Sequence, residues 1–297
     1  MHRGYRSKAQ LIYAEARQAL VERPEALIEL ERVVTRQVKV ILQSIMATVV
    51  KDYNAASIVY PFWQAYPPLE RGRQPIGDQF PWIEVGEHTI GTSLARALAV
   101  EFQGVDMGFP SGADQRLILR SDLFAKASGL TDIVWLNLDI KSVGPRDNFD
   151  HAVMSHNQIS GSGVWTDARD HMENDPMVAV GPSASHAFYP ALPPLIVTPE
   201  FELAPTITVA LKPLYSMLPP PPEGGWTGQP LDRVGLATIP NGLLLTEGPC
   251  YLKSHPGLLF PGKDDKGKDP RKLRARVSFD KLRKIAEWRH QNVWSAP

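Results

Sequence analysis

The sequence predicts an α/β domain, and three observations carry that prediction. Residues 133–138, IVWLNL, are apolar and mostly β-branched or aromatic, the composition of a strand buried in a sheet. Residues 7–53 repeat apolar side chains at helical spacing. The chain has 297 residues, 43% of them hydrophobic, which allows a full core at a size common for α/β domains.

In the N-terminal region Ile12, Ala16, Ala19 and Leu20 share a helix face, and Val34, Val38, Ile41, Leu42, Ile45 and Val49 repeat the pattern. Pro24 separates a first helix from a longer second one, since proline opens a helix but does not continue one. Both helices are expected to pack on the sheet or to pair with a second subunit. From Pro61 to Pro81 the composition turns to aromatics, proline and glycine, which predicts an irregular, ordered segment. PWIEVGEHTIGTSLARALAVEF then predicts a helix, either opening near Trp82 or fed by a loop and running from Gly91 to Phe102. It carries Glu84, a carboxylate suited to a second metal or a metal-bound water beside an acidic site.

The segment PSGADQRLILR places Asp114 in a glycine-containing turn just before the apolar run Leu117–Leu119. The strand at 133–138 delivers Asp139 and Lys141 to its end. Side chains alternate along a strand, so these two share a face about 7 Å apart while Ile140 points into the core. Gly144 and Pro145 then break the strand where a ligand can approach. Asp-x-Lys is either a structural ion pair or half of a metal-dependent phosphodiesterase site, and a second copy stands at Asp264–Lys266 in a polar, turn-like context. Were two neighbouring strands to bring Asp114 and Asp139 together, their carboxylates and the Ile140 carbonyl would offer hard oxygen ligands suited to Mg²⁺. Lys141 would hold and polarise the attacking water.

Downstream, FDHAVMSHNQISGSGVW is rich in polar residues. His151, His156 and His171 lack a ligand-pair spacing, so zinc is not expected there. Asn157, Gln158, Ser160 and Ser162 suit contacts to a nucleic-acid backbone or turn capping. Leu195–Val197 and Thr206–Leu211 read as strands, residues 219–230 as a proline-glycine surface loop, and Val234–Ile239 and Leu243–Thr246 as strands around the turn Pro240-Asn241-Gly242. Lys281–His290 reads as a basic amphipathic helix.

Lys plus Arg equals Asp plus Glu at 32 each, which excludes a polycation that coats nucleic acid indiscriminately. The balance hides an asymmetry: Lys263 to Arg289 holds eleven basic and five acidic residues, a net +6 against −6 for the remainder. Within it, Lys263 and Asp265 stand two apart, as do Arg274 and Arg276, so on an extended arm each pair presents both groups on one face. Arg or Lys donates to guanine and Asp accepts from cytosine in a major groove, so the set suits G·C pairs, whereas a phosphate-only surface would have no use for Asp265, which a phosphate repels. The single Cys250 excludes internal disulfides and a cysteine-rich zinc site. No apolar run approaches the ~18 residues of a membrane span and no signal-like stretch follows the N-terminus, so a soluble, cytoplasmic protein with no membrane partner is expected.

The motifs PFWQAYPPLERG, PWIEVGE, LDIKSVGPRD, KPLYSM, PNG and PGKDD, in that order from about Tyr53 to Val277, resemble the BglI family of type II restriction endonucleases. The resemblance implies the PD-(D/E)xK nuclease core, a mixed β-sheet flanked by helices, acting as a homodimer on double-stranded DNA with Mg²⁺ in a bacterial or archaeal cell that also holds a cognate methyltransferase. Carried over motif by motif, Asp114, Asp139 and Ile140 would bind metal, Lys141 would be the catalytic lysine and Glu84 an accessory acid. Lys263, Asp265, Arg274 and Arg276 would read the DNA, with Asp147 in the minor groove, and the target would be GCCNNNNNGGC or a close relative. The whole chain, 1–297, is then one endonuclease domain, with N-terminal helices over 1–55, a catalytic core over 80–145 and a basic DNA-reading segment over 260–290. Ala113 stands where the family pattern has proline, and the first fifty residues show no likeness. A repair or junction-resolving nuclease of the same fold would leave Asp265 unexplained. A DNA-binding regulator without catalysis would have no use for Asp114, Asp139 and Lys141 together.

Overall fold

The computed structural model describes residues 3–64, 85–107, 112–144, 148–166, 171–216, 222–223, 229–262 and 269–297, with side chains in the first segment described for residues 6–57. Helix α1 (Arg3–Glu22) is followed by α2 (Pro24–Gln64). Pro24 is the first residue of α2, where a missing N–H costs nothing. Along α2, Leu30, Val34, Val38, Leu42 and Val49 are all buried, the stripe that the periodicity predicts. The helix runs on to Gln64, so Pro61–Gln64 extend it rather than opening the irregular segment. Over Pro24–Ser57 it reaches a mean hydropathy of 1.3 and is by length and composition apolar enough to cross a membrane, against expectation. The core helix of a soluble protein meets the same criterion, and here the apolar stripe packs on the sheet.

A π-helical turn, Glu87–Gly91, leads into α3 (Thr92–Glu101); the chain is already helical at Val85 and Gly86, so no loop feeds a helix at Gly91, and Trp82 itself lies outside the described residues. Next come β1 (Val105–Asp106), β2 (Gln115–Arg120), α4 (Asp122–Ser128) and β3 (Ile133–Ile140). Strand β4 (His151–Met154) and a 3-10 turn, His156–Gln158, precede two hairpins, β5 (Val164–Thr166) with β6 (His171–Glu173), and β7 (Met177–Val180) with β8 (Ser185–Phe188). The chain continues through β9 (Leu195–Val197), β10 (Leu203–Tyr215), β11 (Leu231–Ile239), α5 (Gly242–Thr246), α6 (Tyr251–Ser254), β12 (Leu259–Phe260), β13 (Ala275–Ser278), α7 (Phe279–Ile285) and β14 (His290–Ser295).

The main sheet has the order β1-β2-β3-β10-β11-β14, with β9 also on β10. It is mixed: β3 and β10 run parallel, and the other pairings are antiparallel. Both faces of β3 are buried. Val134, Leu136, Leu138 and Ile140 join the cluster containing α2 and α3, while Ile133 and Trp135, on the alternate positions, pack with Leu192 and Ala204. A second sheet, β12-β13-β4, shares a separate cluster with Ala210 of β10 and Ala237 of β11.

Two further expectations need correction. Leu243–Thr246 is helical within α5, because the Asn241 side chain accepts the Leu243 N–H at 3.0 Å and caps the turn. A short apolar run does not by its periodicity tell a buried strand from a buried helical turn. The basic helix expected over Lys281–His290 ends at Ile285, and His290 already belongs to β14, which completes the edge of the main sheet.

Candidate active site

The parallel ladder between β3 and β10 sets the position of the acidic end of β3. Ala210 lies opposite Asp139 and Leu211 opposite Ile140, and the Lys141 N–H continues the ladder to the Leu211 carbonyl at 2.7 Å. On the other side, β2 pairs Gln115 with Leu138, which puts Asp114, just before β2, beside the end of β3. The Asp114 carboxylate accepts the Ile140 N–H at 2.5 Å. Lys141 Nζ lies 2.8 Å from Asp139 Oδ2. Asp114, Asp139 and Lys141, far apart in the sequence, are thus brought together on one side of two neighbouring strands, and Ile140 is buried in the core as the alternation requires.

Burial dominates the electrostatics. It pushes the Asp139 carboxyl up to about 6, opposed by the Lys141 ammonium and reinforced by the Asp114 charge. Asp114 is also pushed up by burial, against the Ile140 N–H and the charges of Lys141, Arg116 and His88. Two neighbouring carboxylates are thus held where burial resists their ionisation, and the Lys141 ammonium offsets part of that cost. Among the described residues no group of three or more His, Cys, Asp and Glu side chains could hold a metal, so the cluster has two acids there. Glu84 lies outside the described residues; the helical turn that follows it packs against the residues just beyond β3, where a Cβ on Gly86 would stand 1.9 Å from Ser142 Oγ and would force that side chain to move.

Several neighbours were not anticipated. Arg116 follows Asp114 by two residues and pairs across the ladder with Asn137, one pleat below Asp139. Period-two alternation along 114–116 was the available signal. Asn137 is fully buried and neither end of its amide has a hydrogen-bond partner among the described residues. Gln158, which sequence reasoning assigned to a nucleic-acid backbone or a turn, donates from Nε2 to Asp139 Oδ1 at 2.6 Å. No sequence spacing announces that contact.

Of the DNA-reading candidates, Arg276 lies on β13, with Val153 and Phe260 as its register partners. Arg274 precedes the strand and is exposed, while Ala275 and Val277 are buried, so the two arginines do alternate outward on extended chain. The Arg276 guanidinium lies where a side chain at 262 would be, 1.1 Å from a Cβ built on Gly262, and lines a cavity of about 390 Å³ with His151 and Phe260. Lys263, Asp265 and Asp147 lie outside the described residues.

The family model described as restriction endonuclease BglI matches residues 8–293. The chain belongs to the BglI family of restriction endonucleases. The type II restriction enzyme BglI of Bacillus subtilis is 36% identical over 290 residues, covering 96% of each chain. The crystal structure of BglI bound to its DNA recognition sequence superposes with a TM-score of 0.89 at 35% identity, covering 98% of each chain. The tetrameric restriction endonuclease SfiI, solved on cognate DNA, matches with a TM-score of 0.59 at 16% identity over 90% of this chain and 84% of that one, a likeness of fold alone. As a BglI-family member the chain is a type II restriction endonuclease, a site-specific deoxyribonuclease, and its mixed sheet flanked by helices is the fold the motifs imply. The family match also covers much of the N-terminal helical region in which the motifs show no likeness.

Proposed function

We propose that the protein hydrolyses double-stranded DNA at an interrupted palindrome, GCCNNNNNGGC or a close relative, as a Mg²⁺-dependent homodimer. The observation that carries this reading is the convergence of Asp114, Asp139 and Lys141 at the ends of β2 and β3. The donor set fits the metal: two carboxylates raised by burial, together with the Ile140 carbonyl, are hard oxygen ligands, and Mg²⁺ keeps several waters instead of demanding a full protein cage. When bound there, Mg²⁺ would supply Lewis acidity to the scissile phosphate and lower the pKa of an attacking water.

The chain's own residues do the rest. Lys141, partly exposed, places its ammonium beside the reacting phosphate, where negative charge develops in the transition state. Arg116 adds positive charge on the Asp114 side. Glu84 serves as the accessory acid, two residues before Gly86, which packs against Ser142 just beyond β3. Arg274 and Arg276 donate to guanines, Asp265 accepts from a cytosine amino group with Lys263 beside it, and Asp147 reaches the minor groove. A palindrome read symmetrically needs two copies of one reading arm, hence the dimer. The 297 residues act as one endonuclease domain in the cytoplasm, where the DNA is, alongside a methyltransferase that protects the host's own sites. Burying two carboxylates side by side would be a needless cost for a scaffold without chemistry, which favours this reading over a DNA-binding regulator.

Digestion of a plasmid of known sequence with purified protein and Mg²⁺ tests the proposal. Fragment ends should map only to GCC and GGC half-sites five base pairs apart. Cutting at branched or mismatched DNA without regard to sequence would favour the repair reading.

A further inference from the structure

We infer that Gln158 is a positioning residue for the metal-binding carboxylate Asp139, and this inference rests on the metal reading above. Gln158 is buried. Its Oε1 accepts the Ser155 N–H at 2.7 Å, and the 3-10 turn His156–Gln158 is closed by this reciprocal capping. That contact fixes which end of the amide faces the site. Nε2, with two hydrogens to give, donates to Asp139 Oδ1 at 2.6 Å and to the Gly112 carbonyl at 3.3 Å. Gly112 lies two residues before Asp114, so one amide ties the segment that bears the first acid to the second acid itself.

The physical consequence is a division of labour between the two oxygens of Asp139. Oδ1 is held by Gln158, and Oδ2 is the oxygen facing Lys141. A hydrogen-bond donor to a carboxylate fixes its orientation and removes its rotational freedom, which favours metal capture. A Gln that served only its turn would need the Ser155 contact alone. The Gln158 carbonyl adds a further anchor by accepting from Thr208 Oγ1 at 3.2 Å on β10, so the donor is carried on a fixed backbone.

The test uses Gln158→Met, which keeps the volume and removes the donor, and Gln158→Asn, which keeps the amide but shortens its reach. Three quantities are measured on the full-length protein: Mn²⁺ binding to the protein–duplex complex by electron paramagnetic resonance, cognate-duplex binding without divalent metal, and single-turnover cleavage against Mg²⁺ concentration. Loss of an outer hydrogen bond to a metal ligand typically costs about 10- to 100-fold in metal affinity or activity. Both variants should therefore bind Mn²⁺ that much more weakly and need correspondingly more Mg²⁺, while metal-free duplex binding stays within twofold of wild type. Mn²⁺ affinity within twofold of wild type in either folded variant overturns the inference. So does a loss of metal affinity matched by an equal loss of metal-free duplex binding, since that marks a disrupted turn. If Gln158→Met does not fold, Gln158→Asn decides alone. Cleavage by the wild-type protein without divalent metal would instead overturn the metal reading itself.

Discussion

At the scale of single residues, the end of β3 shows how far alternation alone reaches. Asp139, Ile140 and Lys141 stand as a period of two requires: the charged pair together, the isoleucine in the core. Asp114 was legible as well, because an acid in a turn before an apolar run is where a neighbouring strand would carry it. Gln158 was not, because the donor to Asp139 arrives through a 3-10 turn 19 residues away and no periodicity spans that gap. The burial that raises Asp139 was implicit in the apolar run before it, but its consequence depends on Lys141 and Asp114 lying close by. Lys141 itself makes a sharp prediction. It adds one positioned charge where the transition state gains negative charge, so Lys141→Ala should lower the single-turnover rate by about 10²-fold or more with affinity for the target nearly unchanged. Weakened binding with an intact single-turnover rate would make Lys141 a phosphate anchor.

At the scale of elements, apolar runs with flanking turn residues located β3, β9 and β11, and the long periodic stripe located α2. What failed were short or two-sided segments. Leu243–Thr246 is apolar at most positions and is buried as a helical turn, and only its Asn241 cap distinguishes it from a strand. The basic helix expected over Lys281–His290 was drawn through His290, and the strand His290–Ser295 went unread, because its identity as a strand depends on pairing with β11, a partner more than fifty residues away in sequence. β10 runs from Leu203 to Tyr215, beyond the predicted core, because Pro205 and Pro213 are accommodated within its ladders. The element with the clearest functional consequence is β13, which holds Arg276 extended and outward, with Arg274 just before it. A bidentate arginine–guanine contact is worth about 1–3 kcal/mol of discrimination, so Arg274→Ala or Arg276→Ala should lower preference for a G·C pair by roughly 5- to 150-fold. Competition binding in Ca²⁺ against duplexes altered one base pair at a time measures this. Uniform weakening across all duplexes would reduce the pair to an electrostatic grip.

At the scale of the whole molecule, a fully buried ion pair joins distant parts of the chain. Glu31 of α2 lies 2.6 Å from Arg289, and its second oxygen accepts the Asn241 N–H at 2.7 Å, so α2, the cap of α5 and the approach to β14 meet at one carboxylate. Burial pushes the Glu31 carboxyl up, and Arg289 opposes it. Removing one partner of such a pair leaves an uncompensated buried charge, at a cost of about 3–5 kcal/mol. Arg289→Met should lose that much stability in urea unfolding at neutral pH, and adding Glu31→Gln, which removes the charge but keeps an acceptor for Asn241, should recover part of it. Equal stability of the single and double variants would mean that the charge is not what the pair balances. This frame holds α2 against the sheet that carries Asp114, Asp139 and Lys141. Asp114 and Asp139 together make the proposed metal-dependent hydrolytic site. Its most direct test is single-turnover cleavage of a cognate duplex by Asp139→Ala in Mg²⁺, with specific binding of the same duplex measured in Ca²⁺. Cleavage should be abolished while specific binding persists; cleavage at a rate close to wild type would contradict the account.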